Sequence, residues 1–156
     1  MRNFFKSGMI LGTLLAVLYF SPASLAGDDS EETREILVNL FKAFNRHDVE
    51  AMVALYHPDV VIITPEHPGP RYGLDVIRGT YSSLFQDLPG VHDTVHRIIS
   101  EGNQASVEFT AAWSFPGEDG TSIDLELNIA SFVKIKDGKI IEDITYYDRM
   151  ALEGSE

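Results

Sequence analysis

Between Ala105 and Phe115 the chain changes character at every residue. Ala105, Val107, Phe109, Ala111, Trp113 and Phe115 alternate with Ser106, Glu108, Thr110, Ala112 and Ser114. A period of two over this length demands a strand with one bulky, buried face and one face turned to solvent. Ile123, Leu125, Leu127 and Ile129 repeat the pattern against Asp124, Glu126 and Asn128. The two runs are joined by a turn around Pro116 to Gly120. Lys136-Asp137-Gly138-Lys139 carries the Asp-Gly signature of a tight hairpin, which makes Ile140 to Asp148 the closing strand. Everything after Val91 therefore reads as antiparallel sheet.

The first half of the chain follows a different period. Asp28 to Glu32 is an acidic, capping start. Ile36, Leu37, Leu40, Phe41 and Phe44 then fall at helical spacing. Asn45-Arg46-His47-Asp48 interrupts that helix, and Asp48 can cap a short second one carrying Met52, Val53, Leu55 and Tyr56. Val60 to Thr64 is a β-branched strand, apolar on both faces. Pro65, Pro68, Gly69 and Pro70 make a loop, and Leu74 to Leu84 forms a third helix with Ile77, Tyr81 and Leu84 on one side. Helices first and strands afterwards argue an α+β domain, with three helices packed on one face of a curved antiparallel sheet.

Residues 1–26 stand apart from this pattern. Arg2 and Lys6 form a basic start, Met9 to Phe20 an apolar run too short for a comfortable membrane span, and Ser24-Leu25-Ala26 a small-residue cleavage site. This predicts a signal peptide removed after Ala26, leaving residues 27–156 as one periplasmic or secreted domain that does not associate with membrane after cleavage. The charge balance narrows the partners. Of the 156 residues, 24 are Asp or Glu and 12 are Lys or Arg, a net charge of −12 that phosphate backbones would repel, so nucleic acid is excluded as a partner. There is no cysteine, which removes thiolate catalysis and Cys-based zinc sites. No carboxylate cluster has ligand spacing, and neither a metal nor a cofactor is expected.

Leu40 to Tyr56 (LFKAFNRHDVEAMVALY) resembles the opening of the nuclear transport factor 2-like (NTF2-like) superfamily. Asp59 to Thr64 and then Tyr72-Gly73 to Ile77-Arg78 resemble the strand and the G-x-x-x-I-R helix that follow it. Lys136 to Lys139 with Tyr146-Tyr147-Asp148 resembles the hairpin and closing Y-x-D strand of its SnoaL-like branch. The resemblance spans roughly residues 32 to 150. It implies a cone, in which a bent sheet wraps around helices and leaves an apolar pocket at the open end. It also implies a choice among polyketide cyclases, ketosteroid isomerases, dehydratases, epoxide hydrolases and non-enzymatic binding or association domains.

The residues separate these chemistries. The position of a ketosteroid isomerase base is held by Thr64, before Pro65, and a hydroxyl is no general base near neutral pH. The matching oxyanion-hole positions fall near Leu40 and near Ala130 or Ser131, so that catalytic set is absent. No Arg sits between two inward carboxylates, as the limonene-type epoxide hydrolases would need. For a SnoaL-like cyclase the matching carboxylate is Asp148. On a strand it shares a face with Ile144 and Tyr146, so Asp148 is expected as acid–base group and Tyr146 as its orienting donor. His92 and His96 lie on a strand, roughly 13 Å apart at about 3.4 Å per residue, too far to share one metal ion. His92 is carried as a third catalytic candidate.

Tyr81, Phe85, Phe109 and Trp113 are expected to line the pocket, with Thr64, His67 and Ser131 at its polar points. Glu66 and Arg71 lie in or next to the same loop and could steer a polar ligand. The expected function is an exported, homodimeric protein that binds a small hydrophobic molecule, with acid–base catalysis of the cyclase or isomerase type. The alternative is a non-catalytic ligand-binding or protein-association module.

Overall fold

The structure is a computed structural model that describes residues 26–117, 120–148 and 150. The segment read as an export signal lies outside the described residues up to Ala26. The elements in chain order are α1 (Ala26–Phe44), α2 (Val49–Val53), β1 (Tyr56–Ile63), β2 (Arg71–Tyr72), α3 (Leu74–Asp87), β3 (His92–Glu101), β4 (Gln104–Pro116), β5 (Ser122–Lys136) and β6 (Lys139–Tyr147). Three helices pack on one curved, open sheet with strand order β2-β1-β6-β5-β4-β3. The α+β class stands, with one addition. β1 runs parallel to β6, so the sheet is mixed, and the Pro-rich loop contributes a two-residue strand, β2, at its edge.

Local chemistry explains the elements. Asp48 caps α2 by accepting from the Ala51 N–H at 3.0 Å. Asp137 and Gly138 both have positive φ, 52° and 69°, the geometry of a two-residue hairpin turn that pairs Lys136 with Lys139. The inward faces of β4 and β5 carry Ala105, Val107, Phe109 and Val133 in one core with α1 residues Leu37, Leu40, Phe41 and Phe44, and Ala111 and Leu127 continue that face along the cavity. Phe41 meets Phe109 edge to face at 4.8 Å.

Two irregularities control which side chains reach the inside. In β3, Val95 pairs with Phe109 but Arg97 pairs with Glu108, so His96 is an extra residue. In β6, Ile135 pairs with Ile140 but Lys134 pairs with Glu142, so Ile141 is extra. Each β-bulge shifts the alternation by one residue and turns the opposite set of side chains inward. Inward-facing residues are therefore Asp93 on β3, with Val91 just ahead of it, and Asp143, Thr145 and Tyr147 on β6.

The helical layer is fastened to the β3 edge by side-chain bonds. Thr33 Oγ1 donates to the Gly102 carbonyl at 2.8 Å, and the Gly102 N–H donates to Ser30 Oγ at 2.8 Å. Leu37 is fully enclosed at the centre of this layer. Leu37→Ala is expected to lower stability by about 2–5 kcal/mol, and volume-conserving Leu37→Met by less than about 1.5 kcal/mol, in urea unfolding followed by circular dichroism.

Candidate functional site

The open end of the fold holds a cavity of about 890 Å³. Its apolar wall includes Phe41, Phe44, Leu84, Phe109, Trp113 and Leu127, and its polar points include Thr64, Arg71, Tyr81, Asp93, Ser131 and Asp143. Such a mixture, mostly rings and aliphatics with a few convergent polar groups, is the usual build of a small-molecule site.

Asp143 sits on the floor and is buried. The Tyr56 hydroxyl donates to its Oδ2 at 2.9 Å, and Thr145 Oγ1 contacts its Oδ1 at 3.4 Å. Ser131 Oγ shares a 2.8 Å hydrogen bond with Thr145 Oγ1 and extends the network onto β5. Burial pushes the Asp143 carboxyl above its ordinary range, while the bonds from Tyr56 and Thr145 pull the other way. Burial also pushes the Tyr56 phenol well up, with the Asp143 charge adding to it. Tyr81 descends from α3 and lies close to Tyr56. Its phenol is raised by burial first, then by Asp143, with a smaller push from Asp93. Both phenols therefore stay protonated across the physiological range and act as donors.

Asp93 stands on the opposite wall, on β3. It is 5% exposed, and its Oδ1 is buried with no hydrogen-bond partner from the protein. Its backbone, in contrast, is tightly held. The Asp93 N–H donates to Asn45 Oδ1, and Asn45 Nδ2 donates to the Asp93 carbonyl, each at 2.8 Å. His47 Nε2 donates to the Val91 carbonyl at 2.9 Å, and its ring stacks on Phe85 at 4.2 Å. The Asn45-Arg46-His47 segment that ends α1 thus pairs with the free edge of β3 and fixes Asp93 while leaving its carboxyl available. Burial pushes that carboxyl up to about 7.

The expected site residues divide sharply. Thr64, His67, Tyr81, Phe109, Trp113 and Ser131 line the cavity. Phe85 does not. It packs behind the wall against Phe44 and His47. Asp148, Tyr146 and His92 are corrected outright. Asp148 is exposed and its Oδ1 accepts from the Met150 N–H at 2.9 Å. Tyr146 is 58% exposed on the outer sheet face against Phe132. His92 is exposed beside inward-facing Asp93. The cause is the same for all three. Counting by twos from buried Ile140 arrives at Tyr146 and Asp148, and counting by twos along β3 from Ile98 arrives at His92. The bulges at Ile141 and His96 reverse both counts. Asp93, Asp143 and Thr145 were missed for this reason; Tyr56 was missed because it reads as part of the second helix, whereas α2 ends at Val53 and Tyr56 opens β1. The signal for Asp143 was weak, since either parity of β6 places one acid and one tyrosine inward.

With this geometry in place, the chain can be set beside known proteins. A SnoaL-like domain model matches residues 37–143, and the chain belongs to that family. Its fold is the NTF2-like fold shared by polyketide cyclases and ketosteroid isomerases. A proposed SnoaL-like polyketide cyclase from Jannaschia sp. CCS1 superposes with a TM-score of 0.69 at 16% identity, covering 81% of this chain and 92% of its own. IdmH, a proposed polyketide cyclase from Streptomyces antibioticus, is 25% identical with a TM-score of 0.67, covering 78% and 96%. A proposed ketosteroid isomerase from Kribbella flavida is 24% identical with a TM-score of 0.60, covering 78% and 81%. No curated protein sequence matches the chain.

The raised Asp93 carboxyl makes stability depend on pH with a definite sign. The folded state holds this proton up to about 7, whereas the unfolded chain releases it near the ordinary aspartate value of 3.8. Folded protein therefore binds more protons between those limits, and stability falls as pH rises through that window. Asp93→Asn removes the dependence. The variant is expected to be more stable than wild type by about 2–4 kcal/mol at pH 8, with the difference closing near pH 4, in denaturant unfolding at both pH values.

Proposed function

We propose that the cavity binds a small, flat hydrophobic molecule and that Asp93 carries acid–base catalysis of the cyclase or isomerase type. The observation that carries this reading is a buried carboxylate with an uncommitted oxygen on the wall of an apolar cavity. A pKa near 7 suits a group that must take up and return a proton at neutral pH. In the proposed cycle Asp93 removes a proton from carbon next to a ligand carbonyl. The C–H electron pair moves onto the carbonyl oxygen, and the neutral phenol of Tyr81 hydrogen-bonds to that developing enolate. Isomerisation follows if Asp93 returns the proton to a different carbon. Cyclisation follows if the enolate carbon attacks a second carbonyl of the same molecule, whose alkoxide then takes the proton from Asp93. Asp143 holds Tyr56 in place beside Tyr81.

A ketone probe tests the first step without the natural ligand. Deuterium exchange at the α-carbon of 2-tetralone, followed by NMR in heavy water, is expected to be accelerated by the wild type with an inflection near pH 7. Asp93→Asn is expected to reduce the enzymatic rate by about 10²–10⁴-fold, and Asp148→Asn to leave it unchanged. Equal rates for wild type and Asp93→Asn would leave only the binding reading.

Export after Ala26 and self-association belong to the same proposal. Export rests on the basic start, apolar run and small residues of the first 26 positions. Self-association rests on the outer sheet face, where Ile99, Phe132 and Tyr146 are all more than half exposed and border one groove. A second copy meeting this face would give a homodimer. Sedimentation velocity is expected to show a dimer for residues 27–156 and a monomer for Phe132→Glu.

A further inference from the structure

Among the described residues, three buried side-chain atoms lack a hydrogen-bond partner: Thr64 Oγ1, Arg71 Nε and Asp93 Oδ1. All three belong to residues lining the one cavity. An unpaired polar atom in such a place carries a desolvation penalty that a ligand atom can relieve. Asp93 is taken up by the proposed chemistry, but Thr64 and Arg71 are not. We propose that these two residues form an anion-holding subsite, so that the ligand is an apolar molecule bearing a negatively charged oxygen on its conjugated frame, a carboxylate or an enolate. This rests on the cavity being a ligand site, and it adds the class of ligand.

The placement supports it. Ile62 pairs with Arg71 across the β1–β2 ladder, and Thr64 follows Ile62 by two residues on the same face. Tyr72 is turned out to solvent, which leaves Arg71 pointing in. Arg71 Nη1 donates to Thr80 Oγ1 at 3.0 Å, so α3 fixes the guanidinium while Nε stays unengaged. A planar guanidinium held in this way presents a fork suited to an anionic oxygen.

The electrostatics of the surroundings agree. Arg78 is neutralised by Glu50 and Asp75, and Arg97 by Glu108, whereas Arg71 has no carboxylate partner among the described residues. Among the described residues Arg71 is the single Lys or Arg on the cavity wall, which His67 also lines. Two acids also border this side, and both are occupied: Glu66 accepts from the Tyr147 hydroxyl, and Asp75 from Arg78. Arg34 and Arg46 also lack a carboxylate partner among the described residues, but neither lines the cavity, so Arg71 is the guanidinium placed to meet an anion brought from outside. β2 and β3 are the two edge strands of the sheet, so Arg71 and Asp93 stand on opposite walls. A ligand anchored by its anionic end at Arg71 keeps that charge away from the Asp93 carboxyl and presents its far end to it.

Biphenyl-4-carboxylate and its neutral amide, biphenyl-4-carboxamide, serve as matched probes for titration calorimetry at pH 7.5, with Trp113 fluorescence reporting entry to the cavity. The wild type is expected to bind the carboxylate about tenfold more tightly than the amide. Arg71→Met is expected to bring the two within about twofold of each other by weakening only the carboxylate, and Thr64→Val to weaken the carboxylate by about threefold. Equal wild-type affinities overturn the subsite while leaving the cavity as a ligand site, and this arm needs no variant to fold. A preference that survives in Arg71→Met overturns it as well. Failure of both probes to bind removes the subsite together with the ligand-site reading beneath it.

Discussion

Two single-residue bulges decide what chemistry this sheet can offer. Without the extra His96, β3 would turn His92 and Thr94 inward, and without the extra Ile141, β6 would turn Glu142, Ile144 and Tyr146 inward. With them, Asp93 and Asp143 both enter the hollow. A bulge sacrifices regular pairing, so something must hold it in place. At β3 that support comes from two sides. On the inner edge, Asn45 clamps the backbone of Asp93. On the outer face, His96 Nε2 lies 2.8 Å from Thr110 Oγ1, which in turn donates to Asn128 at 2.9 Å.

The two acids that result have different surroundings. Asp143 has a partner on each oxygen and shares its environment with two phenols. Asp93 has its hydrogen bonds on the main chain and none at Oδ1. Environments that differ in this way between two carboxyl groups of one cavity suit them to different roles. Asp143 organises donors, and Asp93 is left to titrate. The same asymmetry explains why Asp93 costs stability at neutral pH. Its free oxygen is an unsatisfied buried group, held there because α1 and its terminal Asn45 over-determine the position of β3.

How far the sequence could be read follows from which features are local. The helix of Ile36, Leu37, Leu40 and Phe44, the alternation of β4 and the Asp137-Gly138 turn are written in neighbouring residues, and each took its expected form. So did the rings Phe109 and Trp113 on the cavity wall, because β4 runs without a bulge from Gln104 to Pro116. Parity across a bulge is not local. On β6 the sets Glu142, Ile144, Tyr146 and Asp143, Thr145, Tyr147 have nearly the same polarity, so no hydrophobic pattern distinguishes them. On β3, regular alternation would have favoured the histidines, and Asp93 becomes inward only through a displacement with no compositional mark. The parallel pairing of β1 with β6 was likewise hidden, since it joins residues about eighty positions apart.

That parallel pairing places the polar groups as well. It seats β1 against the closing strand, so Tyr56 at the start of β1 meets Asp143 on β6. It also pushes β2 to the far edge of the sheet, opposite β3. Arg71 and Asp93 thus occupy the two edges of an open, curved surface, and the phenol–carboxylate network occupies its middle. Edge strands are where a sheet has unpaired backbone to satisfy, and here the β3 edge is met from inside the chain, by Asn45 at Asp93 and by His47 at Val91 just ahead of the strand. The Asn45 that meets this edge is the same group that orients Asp93.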